Sequence, residues 1–279
     1  MATGISIHIG LNRVDPSHYK GRDGKGWDGK LKGCENDARA MEAIGREQKF
    51  TTSLLLTEQA TAEGVKAAIG KAASQLKSGD ILLLTYSGHG GQVPDPSDEE
   101  EDHLDETWAL YDRQLIDDEL YALWGRFEAD VRILMLSDSC HSGSVAKEFR
   151  DSPLFTGQPA ANMPVPRALP VDVGERTYAA NKALYDQLEA ENPQGDRVGI
   201  GASVILISGC QDNQVSLDGP QNGVFTGALL KTWNKGKFKA NIRKFHKSIQ
   251  LLIDFIQSPN YFKVGHSNPA FERQQPFTI

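Results

Sequence analysis

Three cysteines, Cys34, Cys140 and Cys210, are all that 279 residues hold, and no two stand in a CxxC spacing. An odd number without paired spacing argues against a disulfide framework and against a cysteine zinc site, and points to a reducing compartment. No apolar run approaches the ~18 residues of a membrane span. Residues 1–12 run straight into an apolar stretch without the basic start of a secretory leader. The expected location is therefore the cytoplasm, with no membrane partner. GxGxxG and P-loop signatures are absent, as are internal repeats, so no nucleotide cofactor is implied. Excess positive charge is missing too: the net charge is −7, which disfavours a nucleic-acid surface. The one basic stretch, 231–247, reads as a solvated face.

Strand-like apolar runs at 5–11, 51–56, 81–86, 131–136 and 203–208 alternate with helical patterns. Helices are expected from Asn36 or Asp37 to 48, with either residue as N-cap, from Thr61 to about 76, over 118–127, and over 224–233. Such alternation predicts an α/β fold with a mostly parallel β-sheet covered by helices on both faces. With 39% hydrophobic residues the chain can bury one large core, so a single domain over 1–279 is expected. Residues 147–199 break the rhythm. Five prolines stand in the first half and an amphipathic helix is expected over 177–191, so the segment reads as an insertion or linker outside the core.

Two short segments carry the chemistry. Tyr86-Ser87-Gly88-His89-Gly90-Gly91 and Asp138-Ser139-Cys140-His141-Ser142-Gly143 each follow a buried-type strand, and Cys140 lies 51 residues beyond His89. Strand ends that open into loops are where α/β sheets build sites. A free thiol with a pKa of ~8.5 is mostly protonated at neutral pH and needs a base. His89 is that base if the two loops lie side by side. The backbone N–H groups of Gly90 and Cys140 would then form an oxyanion hole, worth roughly 3 kcal/mol per donor. A lone buried cysteine is more often a small core hydrophobe, and Cys34 and Cys210 are assigned that role; the polar surroundings of Cys140 argue against it there. His141, adjacent to the nucleophile, is expected to face away from it.

At these residues the sequence resembles the metacaspases, caspase-like cysteine peptidases of clan CD. Beyond SGHG and DSCHSG, the likeness includes Gly33-Cys34-Glu35-Asn36-Asp37-Ala38, the acidic loop 102–106, Ile116-Asp117-Asp118-Glu119, Ser208-Gly209-Cys210-Gln211-Asp212-Asn213-Gln214 and Gln274-Gln275-Pro276. It spans essentially the whole chain. The resemblance implies a caspase-like fold and hydrolysis of peptide bonds after Arg or Lys in protein substrates. It also implies a basic side chain held by Asp37 and Asp138, with Ser87 and Asp212 beside them. An acidic pocket of that kind excludes Asp substrates by like-charge repulsion. The bland alternative for Asp37 is a plain helix N-cap.

The chemistry requires no cofactor. Eight carboxylates in the twelve residues 95–106 read as a solvated loop or, since many metacaspases need calcium, as part of a calcium site to which Asp105, Asp117 and Asp118 would contribute. Lys147 stands where the family carries an acidic residue, a departure from that site. The protein is expected to do without the Pro/Gln-rich prodomain of many members and to act as a monomer. Self-cleavage is expected within 147–199, with Arg167 and Arg176 the most accessible basic residues and Lys182 shielded by a helix. Two alternatives stand beside an Arg/Lys endopeptidase: a non-catalytic caspase-fold binding module, and a clan CD hydrolase of other specificity.

Overall fold

The fold was analysed on a computed structural model of the chain, which describes residues 2–94, 104–140, 165–192, 199–211, 214–253 and 257–279. Six strands form the central sheet: β1 (Gly4–Gly10), β2 (Thr51–Leu56), β3 (Ile81–Ser87), β7 (Arg132–Asp138), β9 (Ser203–Ser208) and β11 (Asn260–Gly265). Their spatial order is β11-β9-β7-β3-β1-β2. All neighbouring pairs are parallel except β11 with β9 at one edge. Every residue of β1 and β3 is buried, which explains why β3 reads as an unbroken apolar run instead of an alternating one.

The pleat divides that run between two cores. Leu82 and Leu84 of β3, with Ile133 and Met135 of β7, pack against α2 (Ala62–Gln75) and α3 (Asp117–Trp124) on one face. Leu83, Leu134 and Leu136 meet α1 (Cys34–Glu47), α6 (Val224–Trp233) and α7 (Ile242–Gln250) on the other. Helix α1 approaches β1 so closely that a Cβ on Gly10 would stand 2.4 Å from the Cys34 carbonyl oxygen. The lysines and arginine of 231–247 are exposed, and Arg243, Lys244 and Lys247 line the solvated face of α7, whose Ile242, Phe245 and Ile249 are buried, while the other lysines lie at the end of α6 and on the connection between the two helices.

The expected helices need three corrections. Helix α1 begins at Cys34 with Gly33 as its N-cap, so Asp37 sits inside the first turn and does not cap its own helix. Helix α3 covers Asp117–Trp124, shorter than 118–127. In place of one helix over 177–191 there are two, α4 (Val171–Ala180) and α5 (Lys182–Glu191). They break at Asn181, whose side-chain amide donates to the Thr177 carbonyl oxygen at 2.8 Å and competes with the helical ladder.

The segment expected to lie outside the core is, over 165–191, part of it. Tyr185 and Leu188 of α5 pack on Val93 and Ile116, and Val173 of α4 packs with Leu169 on Val14, Tyr19 and Ala109. Two smaller sheets complete this side. One is the antiparallel set β4 (Gly90–Pro94), β5 (Leu104–Ala109) and β6 (Gln114–Ile116). The other is the two-residue ladder of β8 (Val165–Pro166) with β10 (Leu217–Asp218). No described helix is long and apolar enough to cross a membrane.

Candidate active site

Strand register brings the two motifs together. Ser87, at the end of β3, is paired with Asp138, at the end of the parallel neighbour β7. His89 and Cys140 each lie two residues further along, so equal offsets from a paired register set them side by side above the sheet. Both are buried. The Nε2 atom of His89 lies 2.8 Å from the carbonyl oxygen of Gly29. A carbonyl can only accept, so Nε2 carries the proton and Nδ1 presents the lone pair of a base. Gly29 adopts a left-handed φ of 53° within the Gly- and Asp-rich loop before α1. A side chain there would collide with Trp27, whose ring lies 4.9 Å from that of His89. This loop therefore fixes both the tautomer and the orientation of the histidine.

The cleft is filled by the chain itself. Residues 165–166 pair antiparallel with β10, and the Arg167 N–H donates to the Ser216 carbonyl oxygen at 2.8 Å. The Arg167 carbonyl oxygen then accepts from two backbone N–H groups, those of Gly90 at 3.0 Å and of Cys140 at 3.1 Å. These are the two donors expected to form the oxyanion hole, and they converge on one carbonyl whose carbon belongs to the Arg167–Ala168 peptide bond. Beyond it the Leu169 N–H donates to the Gly90 carbonyl oxygen at 2.7 Å. Cys140 Sγ donates to the Gln214 carbonyl oxygen at 3.1 Å.

The side chain of Arg167 is fully buried. Nη2 lies 2.8 Å from Asp37 Oδ2 and 2.9 Å from Asp218 Oδ1, while Nη1 lies 2.9 Å from Asp138 Oδ2 and 2.8 Å from Ser87 Oγ. The expectation that Arg167 is accessible is thus overturned: three carboxylates compensate one desolvated guanidinium, which a solvent-facing loop would not need. The carboxylates are themselves well supplied. Asp138 accepts from Ser216 Oγ and from the N–H and hydroxyl of Thr226 in the first turn of α6. Asp37 accepts from Ser87 Oγ, Asn222 Nδ2 and the Gly223 N–H. The N-terminus of α6 therefore faces two carboxylates, where its dipole favours negative charge. Burial nevertheless pushes the Asp37 carboxyl above its ordinary value of 3.8, against the pull of Arg167. Burial also raises the Arg113-flanked Tyr185 and, far more, the Cys34 thiol, which keeps that cysteine protonated and inert. The pocket walls are glycine where they must be: a Cβ on Gly223 would stand 2.4 Å from both Arg167 Nη1 and Asp138 Oδ2.

Asp37, Ser87 and Asp138 are thus brought together around one guanidinium, and Gly90 and Cys140 around one carbonyl. Asp212, Lys147 and the acidic loop 95–103 lie outside the described residues. Asp105 is on β5, and Asp117 and Asp118 open α3. Among the described residues no three His, Cys, Asp or Glu side chains come together as a metal site would require, so these three alone do not fit a calcium ion. Sequence reasoning missed Asp218, Ser216 and Gly29. A two-residue strand and a backbone carbonyl leave almost no pattern, although Asp218 beside a Gly-Pro turn was a visible candidate.

Comparison with known proteins gives the family. A family model described as the caspase domain matches residues 14–276. The chain is 30% identical over 73% of its length to metacaspase-1 of Mycosarcoma maydis, and 30% over 71% to metacaspase-1 of Schizosaccharomyces pombe. Those matches cover 57% and 54% of the two relatives, so the chain spans little more than half their length. A crystal structure of a Geobacter sulfurreducens protein superposes with a TM-score of 0.87 at 49% identity, over 99% of both chains. Caspase-1 of Spodoptera frugiperda shares the fold alone, at TM-score 0.51 and 8% identity over 95% of this chain and 86% of its own. With its sheet order, its His89 and Cys140 strand ends and a family match over nearly its whole length, this chain belongs to the caspase-domain family of peptidases and has metacaspases among its relatives.

Proposed function

We propose that the protein is a cysteine endopeptidase that cuts after Arg, and after Lys less well, and that its first substrate is its own Arg167–Ala168 bond. One observation carries this: Arg167 has its side chain on three carboxylates and its carbonyl oxygen on both N–H groups of the oxyanion hole at once. A plug held by charge alone would make the first contact and not the second. Cys140 leaves the Gln214 carbonyl, gives its proton to His89 Nδ1 and attacks the Arg167 carbonyl carbon. The Gly90 and Cys140 N–H groups stabilise the oxyanion. As the tetrahedral adduct collapses, the C–N bond to Ala168 breaks and the nitrogen takes the proton from His89. Water then hydrolyses the thioester by the same base. Arginine is favoured over lysine because two nitrogens of a planar fork meet four acceptors, where an ammonium offers one centre.

Incubating wild type beside Cys140→Ala and measuring intact masses tests it. Fragments ending at Arg167 and starting at Ala168, in wild type only, are expected. An active wild type that stays whole would overturn self-cleavage, and equal turnover of Asp and Arg substrates would overturn the acidic pocket. Calcium stimulation, which the acidic loop suggested, is tested by turnover in millimolar calcium against a chelator. A higher rate with calcium would call for ligands from the loop 95–103.

A further inference from the structure

The two sides of the Arg167–Ala168 bond are held very differently. On the acyl side, the described chain consists of Val165 and Pro166 in a two-residue ladder, followed by the Arg167 ion pairs. Val165 is 36% exposed. On the amine side, Ala168 is fully buried against Cys140, Cys210, Val215 and Leu217, in a parallel bridge with Gly90. Leu169 is buried among Val14, Tyr19, Ala109 and Val173 and bonded to the Gly90 carbonyl. Helix α4 follows immediately. Its Thr177 hydroxyl accepts from the Lys20 N–H at 2.9 Å, and Asp172 holds Arg22 at 2.8 Å. Next, α5 buries Tyr185 and Leu188, with the Tyr185 hydroxyl on the Gln114 N–H.

Breaking one peptide bond removes none of these contacts. In an ordinary proteolysis the amine product diffuses away and water alone meets the thioester. Here the leaving amine is the first residue of a packed, helix-anchored segment.

We propose that, after cleavage, the α-amine of Ala168 stays in the active site and competes with water for the Cys140 thioester, so that the site joins acyl groups with a terminal arginine to Ala168 as well as hydrolysing them. This rests on the peptidase chemistry proposed above and extends it to a second activity, peptide-bond formation. In the joining step the neutral amine nitrogen attacks the thioester carbonyl carbon and passes one proton to His89 Nδ1. The C–S bond breaks, and the thiolate of Cys140 is released and takes the proton back. Thioester plus amine gives amide plus thiol, with no other reagent consumed. Positioned nucleophiles reach effective concentrations of about 10⁵ M or more, which exceeds that of bulk water by a wide margin. The amine must be neutral, so joining gains on hydrolysis as the pH rises through its ordinary pKa of about 8.

The test uses self-cleaved wild-type enzyme and the probe acetyl-Val-Pro-Arg p-nitroanilide, whose acyl part reproduces residues 165–167. Nitroaniline release reports formation of the thioester; the intact mass of the fragment beginning at Ala168 reports where the acyl group went. A fragment heavier by one acetyl-Val-Pro-Arg group, in a proportion that grows between pH 6.5 and 8.5, is the expected result. Nitroaniline release with no heavier fragment at any pH would overturn the joining activity and leave the peptidase standing. No nitroaniline release would overturn both. Leu169→Ala loosens the anchor of the amine, and the ratio of heavier fragment to nitroaniline should drop at least tenfold. An unchanged ratio would overturn the anchoring.

Discussion

Arg167 and Arg176 stand nine residues apart in the same proline-containing segment, and the sequence offers no reason to rank one above the other as a cleavage site. The structure separates them completely. Arg176 is 41% exposed and lies beside Asp172 at 2.7 Å in the same helix, an ordinary i,i+4 surface pair. Arg167 is fully buried on three carboxylates from α1, β7 and β10. Exposure and contact with the cleft therefore pick out different residues. Of the two, Arg167 is the one whose carbonyl oxygen accepts from the Gly90 and Cys140 N–H groups, and under the proposed mechanism that contact, and not exposure, selects the bond.

The strongest challenge to this contrast is removal of the chemistry. Cys140→Ala and His89→Ala should each lower cleavage after Arg167, and turnover of an arginine peptide, by about 10³-fold or more, since nucleophile and base act as one unit. Thermal melting measured in parallel should show a folded protein. Cutting that persisted after Arg176 in either variant would mean that a contaminating protease, and not this site, opens the segment.

Specificity sharpens the comparison next. Asp138→Asn and Asp218→Asn each leave Arg167, or a substrate arginine, short of one charged partner. Each should reduce kcat/KM for arginine peptides by about 10- to 100-fold, in line with 1.5–3 kcal/mol for a charged hydrogen bond. The fall should be smaller for lysine peptides. Equal losses for both would argue against a fork-shaped guanidinium site.

Stability gives a third contrast, measured in the Cys140→Ala background so that no cutting intervenes. Arg167→Ala leaves three buried carboxylates uncompensated and should cost roughly 3–5 kcal/mol in urea unfolding. Arg176→Ala removes a surface pair and should cost below about 1 kcal/mol. Added benzamidine, a guanidinium mimic, should restore part of the first loss and leave the second unchanged.

The smallest effect is in pH. Asp37 holds its proton to a higher pH folded than unfolded, where the value is 3.8. A raised folded pKa gives stability that is present below 3.8 and lost as the pH rises through the folded value. Removing the guanidinium raises Asp37 further, so the Arg167→Ala deficit should grow as the pH climbs from about 4 towards 7, and the Arg176→Ala deficit should not. The sheet adds a shared background: burial lowers His8 from 6.5 to about 3, so both variants should also lose stability as the pH falls through that range.

The central sheet was legible because β3 and β7 are short apolar runs bounded by glycine and turn residues, a pattern that survives without tertiary context. The helix break at Asn181 was not, because Asn can continue a helix or bond back to it, and only its neighbours decide. The acidic loop shows the same limit from the other side: a dense run of carboxylates states its charge and leaves its geometry open.

By itself the sequence determined the alternation of strands and helices and the placing of the His89 and Cys140 motifs just after two buried-type strands, while Asp37 and Asp138 came from the family resemblance. The first two are local facts, set by side-chain period and by neighbours in the chain. The tertiary structure alone decided that Ser87 registers with Asp138, that Asp218 supplies a third carboxylate, that the Gly29 carbonyl sets the His89 tautomer, and that Arg167 enters the pocket. Each joins residues about 30 to 130 positions apart, through strand pairing and the burial of a charge that must find its partners wherever the fold puts them.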